Sequence, residues 1–319
     1  MVSRKNVSPV MVISAFTIVY LVWGSTYYFI RVAIQHIPPL LMASMRFFIA
    51  GLLLLIWCAI RGEKLFIIKN IKPAIVSGLL LLIIGNGAVV LSEKYLSSSF
   101  VAVIASTSPI WVVILDGRNR QANFSNKSTV TGLIIGFIGI VLLFSENAIH
   151  ALSSSEGHGQ IISLIILMIG AASWGAGSLY AKYYSKGDSQ FVNAGWQMFS
   201  AGIALIPASG LSGEWKNFHW QQVSADAWFA LAYLISFGSL IAYSAYTWLL
   251  KVRPATQVST HAYVNPVVAV FLGILLASEK VTPVQWLGLA IVLTSVLLVN
   301  LAKYHKERKA YIKPVTEAA

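Results

Sequence analysis

The sequence predicts an all-α integral membrane protein with ten transmembrane helices, arranged as two inverted five-helix repeats around a central cavity. Three observations predict this fold: long apolar segments, an alternating distribution of basic residues, and motifs that recur in the second half of the chain. Of the 319 residues, 57% are hydrophobic and 11% are charged, against about 25% charged residues in a soluble domain. Such a chain cannot cover its surface with polar groups, so we expect a lipid bilayer to surround it.

Ten apolar segments are candidates to cross about 30 Å of hydrocarbon as helices. Continuous apolar runs of this kind are typical of helices and not of β-barrel strands. The predicted spans are 10–34, 40–60, 73–92, 95–115, 130–144, 161–184, 191–211, 227–250, 256–277 and 283–302. They define a first five-helix repeat at 10–144, a loop at 153–159, a second, inverted repeat at 161–302, and a basic tail at 303–319.

The 23 Lys and Arg residues support this count, because cytoplasmic loops of membrane proteins carry an excess of basic residues. With a cytoplasmic N-terminus, every second loop is basic, and the exceptions are Arg31, Arg46, Lys94, Lys216 and Lys280. The pattern predicts a multi-pass protein with both termini in the cytoplasm. The net charge of +12 does not indicate a nucleic-acid partner, because the basic residues are scattered between apolar runs.

A motif of the first predicted span recurs in the sixth, 151 positions later. Trp23 and Gly24 correspond to Trp174 and Gly175. The same offset relates three residues of span two to three of span seven, namely Arg46, Phe48 and Gly51 to Gln197, Phe199 and Gly202. Because each half has an odd number of spans, the second half must be inverted relative to the first. Inverted repeats are typical of secondary transporters, whose substrate site lies near the midplane between the halves.

The sequence offers no enzyme signature. It contains no Gly-rich phosphate loop, no HExxH motif and no pair of cysteines, since Cys58 is the single cysteine. No nucleophile lies at a convincing spacing from a base. We therefore expect no catalytic residues, no metal site and no cofactor.

Polar residues within the spans are costly in hydrocarbon and indicate functional positions. In span nine, Gln257, His261 and Asn265 recur every four residues and form one polar stripe. Pro266 follows, and since proline frees a carbonyl one turn back, we expect a break or kink there. Pro109 takes the corresponding place in span four, 157 positions earlier. Paired breaks in two halves indicate a transporter site, and packing kinks are the alternative.

The predicted cavity residues are aromatic or hydrogen-bonding and include no carboxylate deep in a span, which suits an amphipathic organic solute better than a metal ion. The predicted substrate-binding residues are Trp23, Tyr27, Asn86, Trp174, Ser178, Tyr243, His261 and Asn265. The candidate coupling or gating residues are Glu93, Arg46, Pro109 and Pro266. Glu93 either carries a coupled proton, as could His261, or is a solvated helix end paired with Lys94. Arg46 either faces the cavity and binds an anionic substrate group or extends towards the outer surface.

Spans five and ten differ from the other eight. Span five presents Gly132, Gly136 and Gly139, a face of small residues that allows close helix packing, and span ten is nearly all aliphatic. We expect both to stand outside the cavity. The small-residue faces are compatible with a monomer or a homodimer.

Several motifs together resemble the EamA-type family of the drug/metabolite transporter superfamily, and most closely its YedA-type bacterial inner-membrane members. They run from Trp23-Gly24-Ser25-Thr26, through Gly85-Asn86-Gly87 and Ser108-Pro109, to the segment Tyr263-Val264-Asn265-Pro266. The resemblance covers roughly residues 10–302 and departs from the family pattern at the polar residues that follow span four, within 112–128.

The resemblance implies a secondary active transporter in the bacterial inner membrane, moving small organic solutes such as amino acids, metabolites or drugs by alternating access, with export as the expected direction. The alternatives are a facilitative channel or uniporter and a membrane protein that transports nothing. A channel would require polar stripes along the full length of several helices, whereas the stripes here concentrate near the predicted helix breaks.

Overall fold

The computed structural model describes residues 8–93, 95–96, 101, 104–152, 157–185, 189–216, 218–277 and 282–316. All regular structure in these ranges is helical, which confirms the all-α prediction. The helices are α1 (Pro9–Ile34), α2 (Pro39–Ile60), α3 (Ile68–Ser92), α4 (Ser108–Leu115), α5 (Arg120–Phe124), α6 (Lys127–Leu152), α7 (Gly157–Tyr184), α8 (Gln190–Leu211), α9 (Ala225–Val252), α10 (Ala255–Val258), α11 (His261–Ala277) and α12 (Pro283–Thr316).

Five helical segments of the described chain are long and apolar enough to cross a membrane: α1, α2, α3, residues Ile161–Tyr184 of α7, and α9. Shorter apolar stretches lie in α6 and α12, at Lys127–Leu142 and Pro283–Val299. The predicted seventh span, α8, has 22 residues but carries the polar Asn193 and Gln197. The membrane character is therefore clear from the structure, while the count of ten spans stays a prediction.

Helices α2 and α8 have the same bounds in the two predicted repeats. Each has 22 residues, and each begins and ends 151 positions from its counterpart. A proline at the start of α2 and a Ser189 side chain that accepts the Val192 N–H at the start of α8 stabilise their first turns. Both are followed by a glycine in the left-handed region, Gly62 (φ +73°) and Gly213 (φ +78°), again 151 positions apart.

The α2–α8 pair is an antiparallel contact built on glycines. A Cβ at Gly51 would collide with the Phe199 backbone, and a Cβ at Gly202 would collide with the Phe48 backbone. The two contacts are equivalent, because Gly202 and Phe199 lie 151 positions after Gly51 and Phe48. The Phe48 and Phe199 rings stack between them, with centroids 5.4 Å apart. The two equivalent helices therefore run in opposite directions and touch through the same surface.

Helices around the centre of the molecule also pack against helices of the opposite half. Helix α1 packs mainly against α9 and α11 of the second half, and α7 packs against α3 and α4 of the first half. Helices α3 and α9 each contain a π-helical segment, at Leu79–Asn86 and Leu234–Tyr243. A π-helical turn is wider than an α-helical turn and often marks a functional site.

Helices α6 and α12 pack against one another, as the small-residue face predicts. The backbone of Gly139 leaves room for Ile291 and Val292, and Gly132 leaves room for Val299. The contacts run in reverse order along the chain, so this pair is also antiparallel. Neither helix contributes a described residue to the central cavity.

Of the break or kink predicted at Pro266, the structure shows no break. Helix α11 continues through Pro266, and the interruption in that segment lies earlier, at Ser259 and Thr260. The helix tolerates Pro266 because the carbonyl that proline frees, that of Ala262, accepts a hydrogen bond from Ser106 Oγ at 2.9 Å. The predicted loop at 153–159 lies partly outside the described residues, and the predicted tail continues α12 as a helix to Thr316.

Candidate functional site

A central cavity lies between the two halves and brings together most of the predicted binding residues. Seven of the eight line it: Trp23, Tyr27, Asn86, Trp174, Tyr243, His261 and Asn265. The centres of water-sized molecules can occupy about 80 Å³ of it, which is room for several waters or a small organic group. The lining comes from α1, α2, α3, α4 and α7, and from α9 and α11, so both halves build the site.

Aromatic rings form one wall of the cavity and converge on Trp23. The Trp23 ring centroid lies 5.5 Å from that of Trp174 and 4.9 Å from that of His261, both in edge-to-face geometry. Tyr246, whose hydroxyl is bonded to Ser178 at 2.5 Å, packs 4.8 Å from Trp23 behind this wall. Edge-to-face contacts of this kind fix ring orientation. The wall therefore offers a rigid apolar surface to a bound solute.

Trp23 is held in place by the widened segment of α9. Its Nε1 donates a 3.0 Å hydrogen bond to the carbonyl of Gly238, which lies within the π-helical turns. Across the bundle, Gly24 lets α1 approach α11, because a Cβ there would overlap Val268. The two residues of the Trp23-Gly24 motif thus have different physical roles: the first orients an aromatic ring, and the second allows close helix packing.

Two consecutive side-chain hydrogen bonds link a cavity residue to the helices behind it. Tyr243 donates its hydroxyl proton to Gln197 Oε1 at 2.9 Å, and Gln197 Nε2 donates to Ser77 Oγ at 2.8 Å. All three residues are buried, and they join α9, α8 and α3. Gln197 was not among the predicted site residues, although its correspondence to Arg46 was visible in the sequence.

Several polar atoms around the cavity are buried without a hydrogen-bond partner. Within the part of the chain that the structure describes, these atoms include Arg46 Nη1, Asn86 Oδ1, His261 Nε2 and Asn265 Oδ1. Most buried polar groups in folded proteins are hydrogen-bonded, and an unpaired one calls for an explanation such as a ligand or an ordered water. Their grouping around one cavity makes it the candidate site for a molecule with polar groups.

Arg46 lies in the cavity wall and does not extend towards the outer surface. It is 4% exposed, and its Nε donates to Ser239 Oγ at 2.9 Å. The guanidinium carbon sits 5.1 Å from the centroid of the Phe47 ring. Of the two interpretations that the sequence left open, the structure supports the one that faces the cavity.

Four predicted residues lie outside the lining. Ser178 is turned to Tyr246, and its hydroxyl also bonds the carbonyl of Trp174. Pro109 is at the start of α4, where the predicted break occurs, and Pro266 is inside α11. Glu93 follows α3, and its two carboxyl oxygens are buried without a hydrogen-bond partner among the described residues, a costly arrangement for a charged group. Its predicted partner Lys94 is outside the described residues.

The polar residues after α4 form a structured cluster that the sequence did not predict. Asp116 is 3% exposed and accepts the Tyr183 hydroxyl at 2.6 Å and Asn123 Nδ2 at 3.2 Å. Next to it, Lys182 Nζ donates at 2.6 Å to the carbonyls of Leu250 and of Arg253. These bonds join the C-terminal ends of α4, α7 and α9, on the side that the basic-residue pattern predicts to be cytoplasmic.

The sequence profile of the EamA-like transporter family matches this chain twice, at residues 10–145 and 161–301. The chain belongs to the EamA-like transporter family. The resemblance that the motifs indicated is thereby confirmed, and with it the expectation that the chain is a membrane transporter and not an enzyme.

Similar proteins are known from bacteria. The chain is 36% identical to the inner membrane transporter YedA of Escherichia coli strain K12, over 94% of both chains. It is 26% identical to the transporter YoaV of Bacillus subtilis strain 168, over 83% of this chain and 88% of YoaV. A crystal structure with 17% sequence identity superposes with a TM-score of 0.73 over 94% of this chain and 99% of the other, which shows a shared fold.

Proposed function

We propose that this EamA-family chain is a secondary active transporter that moves small organic solutes across the bacterial inner membrane and exports them from the cytoplasm. The observation that carries the proposal is the central cavity, which both halves build and which holds unpaired polar atoms beside an aromatic wall. Such a cavity suits a solute with an apolar body and a few hydrogen-bonding groups. The relative YedA, named as an inner membrane transporter, supports the choice of membrane.

Alternating access is the mechanism that best fits the architecture. The antiparallel pairs α2–α8 and α6–α12 support an inverted-repeat arrangement of the two halves. Two inverted halves can rock about a site between them and expose it to either side in turn. The bonds of Asp116 and Lys182 would close the cytoplasmic end in one state and break in the other.

A coupled proton would have two candidate carriers. Glu93 is a buried carboxyl group without a hydrogen-bond partner in the described part of the chain, and His261 has an unpaired ring nitrogen at the cavity. If protons drive transport, Glu93→Gln should abolish solute-driven pH change in proteoliposomes while solute binding persists. Loss of binding together with the pH change would instead assign Glu93 a structural role.

The proposal is tested by a ligand screen on purified protein. Amino acids, organic acids and cationic amphiphiles are added separately, and the melting temperature Tm is recorded, since a ligand of the folded state stabilises it by mass action. We expect at least one class to raise Tm, and we expect Trp174→Ala and Asn265→Ala to remove the shift. Trp286→Ala is the matched control, because Trp286 is 51% exposed and lies outside the cavity. The proposal is wrong if no compound raises Tm, or if the cavity variants keep the shift.

A further inference from the structure

The central cavity carries one cation without a counter-charge. Arg46 is the only Lys, Arg, Asp or Glu among the described residues that line it. Its Nη1 is buried and has no hydrogen-bond partner among the described residues, while its Nε donates to Ser239 Oγ. A buried charge is costly unless an opposite charge or several hydrogen bonds compensate for it. The Arg46 guanidinium therefore needs a negatively charged hydrogen-bond acceptor, and a bound solute could supply one.

The surroundings of Arg46 hold the guanidinium in place. Gly238 makes room for it, because a Cβ there would lie 3.0 Å from Arg46 Nη2 and 3.2 Å from Thr26 Cγ2. Ser239 binds Nε on the same segment of α9, and the Phe47 ring packs beside the guanidinium carbon. A fixed, planar set of N–H donors matches the geometry of a carboxylate, which can accept two parallel hydrogen bonds.

None of the other described lining residues is Lys, Arg, Asp or Glu, and His261 is the one histidine among them. The aromatic wall of Trp23 and Trp174 is apolar on its ring faces, and Asn86 and Asn265 contribute uncharged amides. No described residue of the lining offers a carboxylate to balance a cationic solute. The arrangement therefore combines one anion-binding group with an apolar surface.

We propose that Arg46 binds the carboxylate of the transported solute, so that the substrates are small organic acids with an apolar or aromatic body. This inference rests on the proposed transport function and names the substrate class of the same cavity. The acid group would complete the hydrogen bonds of the guanidinium, and the apolar body would lie against Trp23 and Trp174.

The test compares three compounds that share one aromatic body and differ in charge: phenylacetate, phenylacetamide and phenethylamine. Their affinities for the purified full-length protein are measured by titration calorimetry near neutral pH. We expect phenylacetate to bind at least about tenfold more tightly than the other two, because only it forms a charge-assisted hydrogen bond with Arg46.

Arg46→Gln is the decisive variant. It should weaken phenylacetate binding by about tenfold or more, to the level of phenylacetamide, and change phenylacetamide binding by less than about threefold. Arg61→Gln is the matched control, since Arg61 follows the same helix, stacks on Trp57 and lies outside the cavity, and it should leave both affinities unchanged.

Gly238→Ala is a second variant that keeps the charge. Its added Cβ would crowd Arg46 Nη2, so phenylacetate binding should weaken by a few fold while phenylacetamide binding changes less. This variant carries the test if Arg46→Gln does not yield folded protein. The inference is overturned if wild type does not prefer phenylacetate, or if the folded Arg46 or Gly238 variant keeps the wild-type preference.

The outcome is separable from that of the proposed function. If neutral or cationic compounds raise Tm in a Trp174-dependent manner and acids do not, the carboxylate assignment is wrong and the transporter proposal stands. If no compound of any charge raises Tm, both are wrong.

Discussion

Arg46 and Gln197 occupy the same position in the two predicted repeats, on the equivalent helices α2 and α8, yet their surroundings differ. Gln197 is fully engaged, accepting from Tyr243 and donating to Ser77, and lies outside the cavity lining. In the described part of the chain, Arg46 donates a side-chain hydrogen bond to Ser239, and its Nη1 at the cavity has no partner. We therefore propose that the same repeat position supports the fold in the second half and binds the solute in the first half.

On this proposal, α8 contributes to stability at position 197 and α2 contributes to solute binding at position 46. Variants at Gln197 and at the helix contact should change the free energy of unfolding. Variants at Arg46 should change binding and leave the fold intact.

The largest loss of stability is expected at the two glycines of the α2–α8 contact. Gly51→Ala and Gly202→Ala should each lower the free energy of unfolding by about 3 kcal/mol or more, because the added Cβ meets the backbone of the facing helix, which cannot move aside as a side chain can. Thermal unfolding in detergent and monodispersity on size exclusion measure the loss. The two variants should agree closely, since their contacts are equivalent.

Gly210→Ala is the control for this pair. Gly210 lies on α8, and a Cβ there meets no atom within 4 Å. It should leave Tm unchanged or slightly raised, because alanine favours helix over glycine by about 0.5–1 kcal/mol. Equal losses in Gly210→Ala and Gly202→Ala would show that the tight helix contact does not carry the stability.

Gln197→Leu comes next. Leucine is of similar size but leaves the buried Tyr243 hydroxyl without its acceptor, so the free energy of unfolding should fall by about 1–3 kcal/mol. Urea or thermal unfolding of the purified protein gives the value. A variant as stable as wild type would mean that the chain of bonds behind the cavity contributes nothing to the fold.

Ser77→Ala should have a smaller effect in the same direction. It removes the acceptor of Gln197 Nε2 but keeps the bond between Gln197 and Tyr243, and we expect a loss of about 0.5–1.5 kcal/mol. In the double variant with Gln197→Leu, the two losses should not add, because both remove the same hydrogen bond. If the two stability losses added fully, the proposed link from Tyr243 through Gln197 to Ser77 would be contradicted.

Arg46→Gln should not destabilise the protein in the absence of solute. It replaces a buried, incompletely paired cation with the neutral residue that the other half uses at this position, so Tm should stay the same or rise slightly. A loss comparable to that of Gln197→Leu would show that Arg46 is a structural residue and that the contrast between the halves is false.

Much of the fold followed from the sequence because it depends on local signals. Apolar length predicts helices, and the 151-residue offset predicted the α2–α8 correspondence before their shared bounds were visible. Seven of the eight predicted binding residues line the cavity because helical periodicity places Trp23 and Tyr27, or His261 and Asn265, on one face.

The remainder depends on tertiary contacts that no spacing encodes. Ser178 lies one turn from Trp174 on the same helix, but its hydroxyl finds Tyr246 behind the wall. The Asp116 cluster joins residues from different helix ends, and Pro266 stays within a helix because a serine of another segment satisfies the carbonyl that it frees. Hydrogen bonds between distant segments depend on how the helices pack, which the spacing of residues along the chain does not specify.

Two-sided access to the cavity is the most direct test of the account. In a Cys58→Ser background, which removes the single native cysteine, Ser108→Cys places a thiol in the cavity lining, and Ser295→Cys places one in the buried α6–α12 contact. A membrane-impermeant methanethiosulfonate is added to right-side-out and to inverted vesicles, and labelling is measured. We expect Cys at position 108 to react from both sides and Cys at position 295 from neither. Reaction of position 108 from one side alone, or from neither, would contradict alternating access through this cavity.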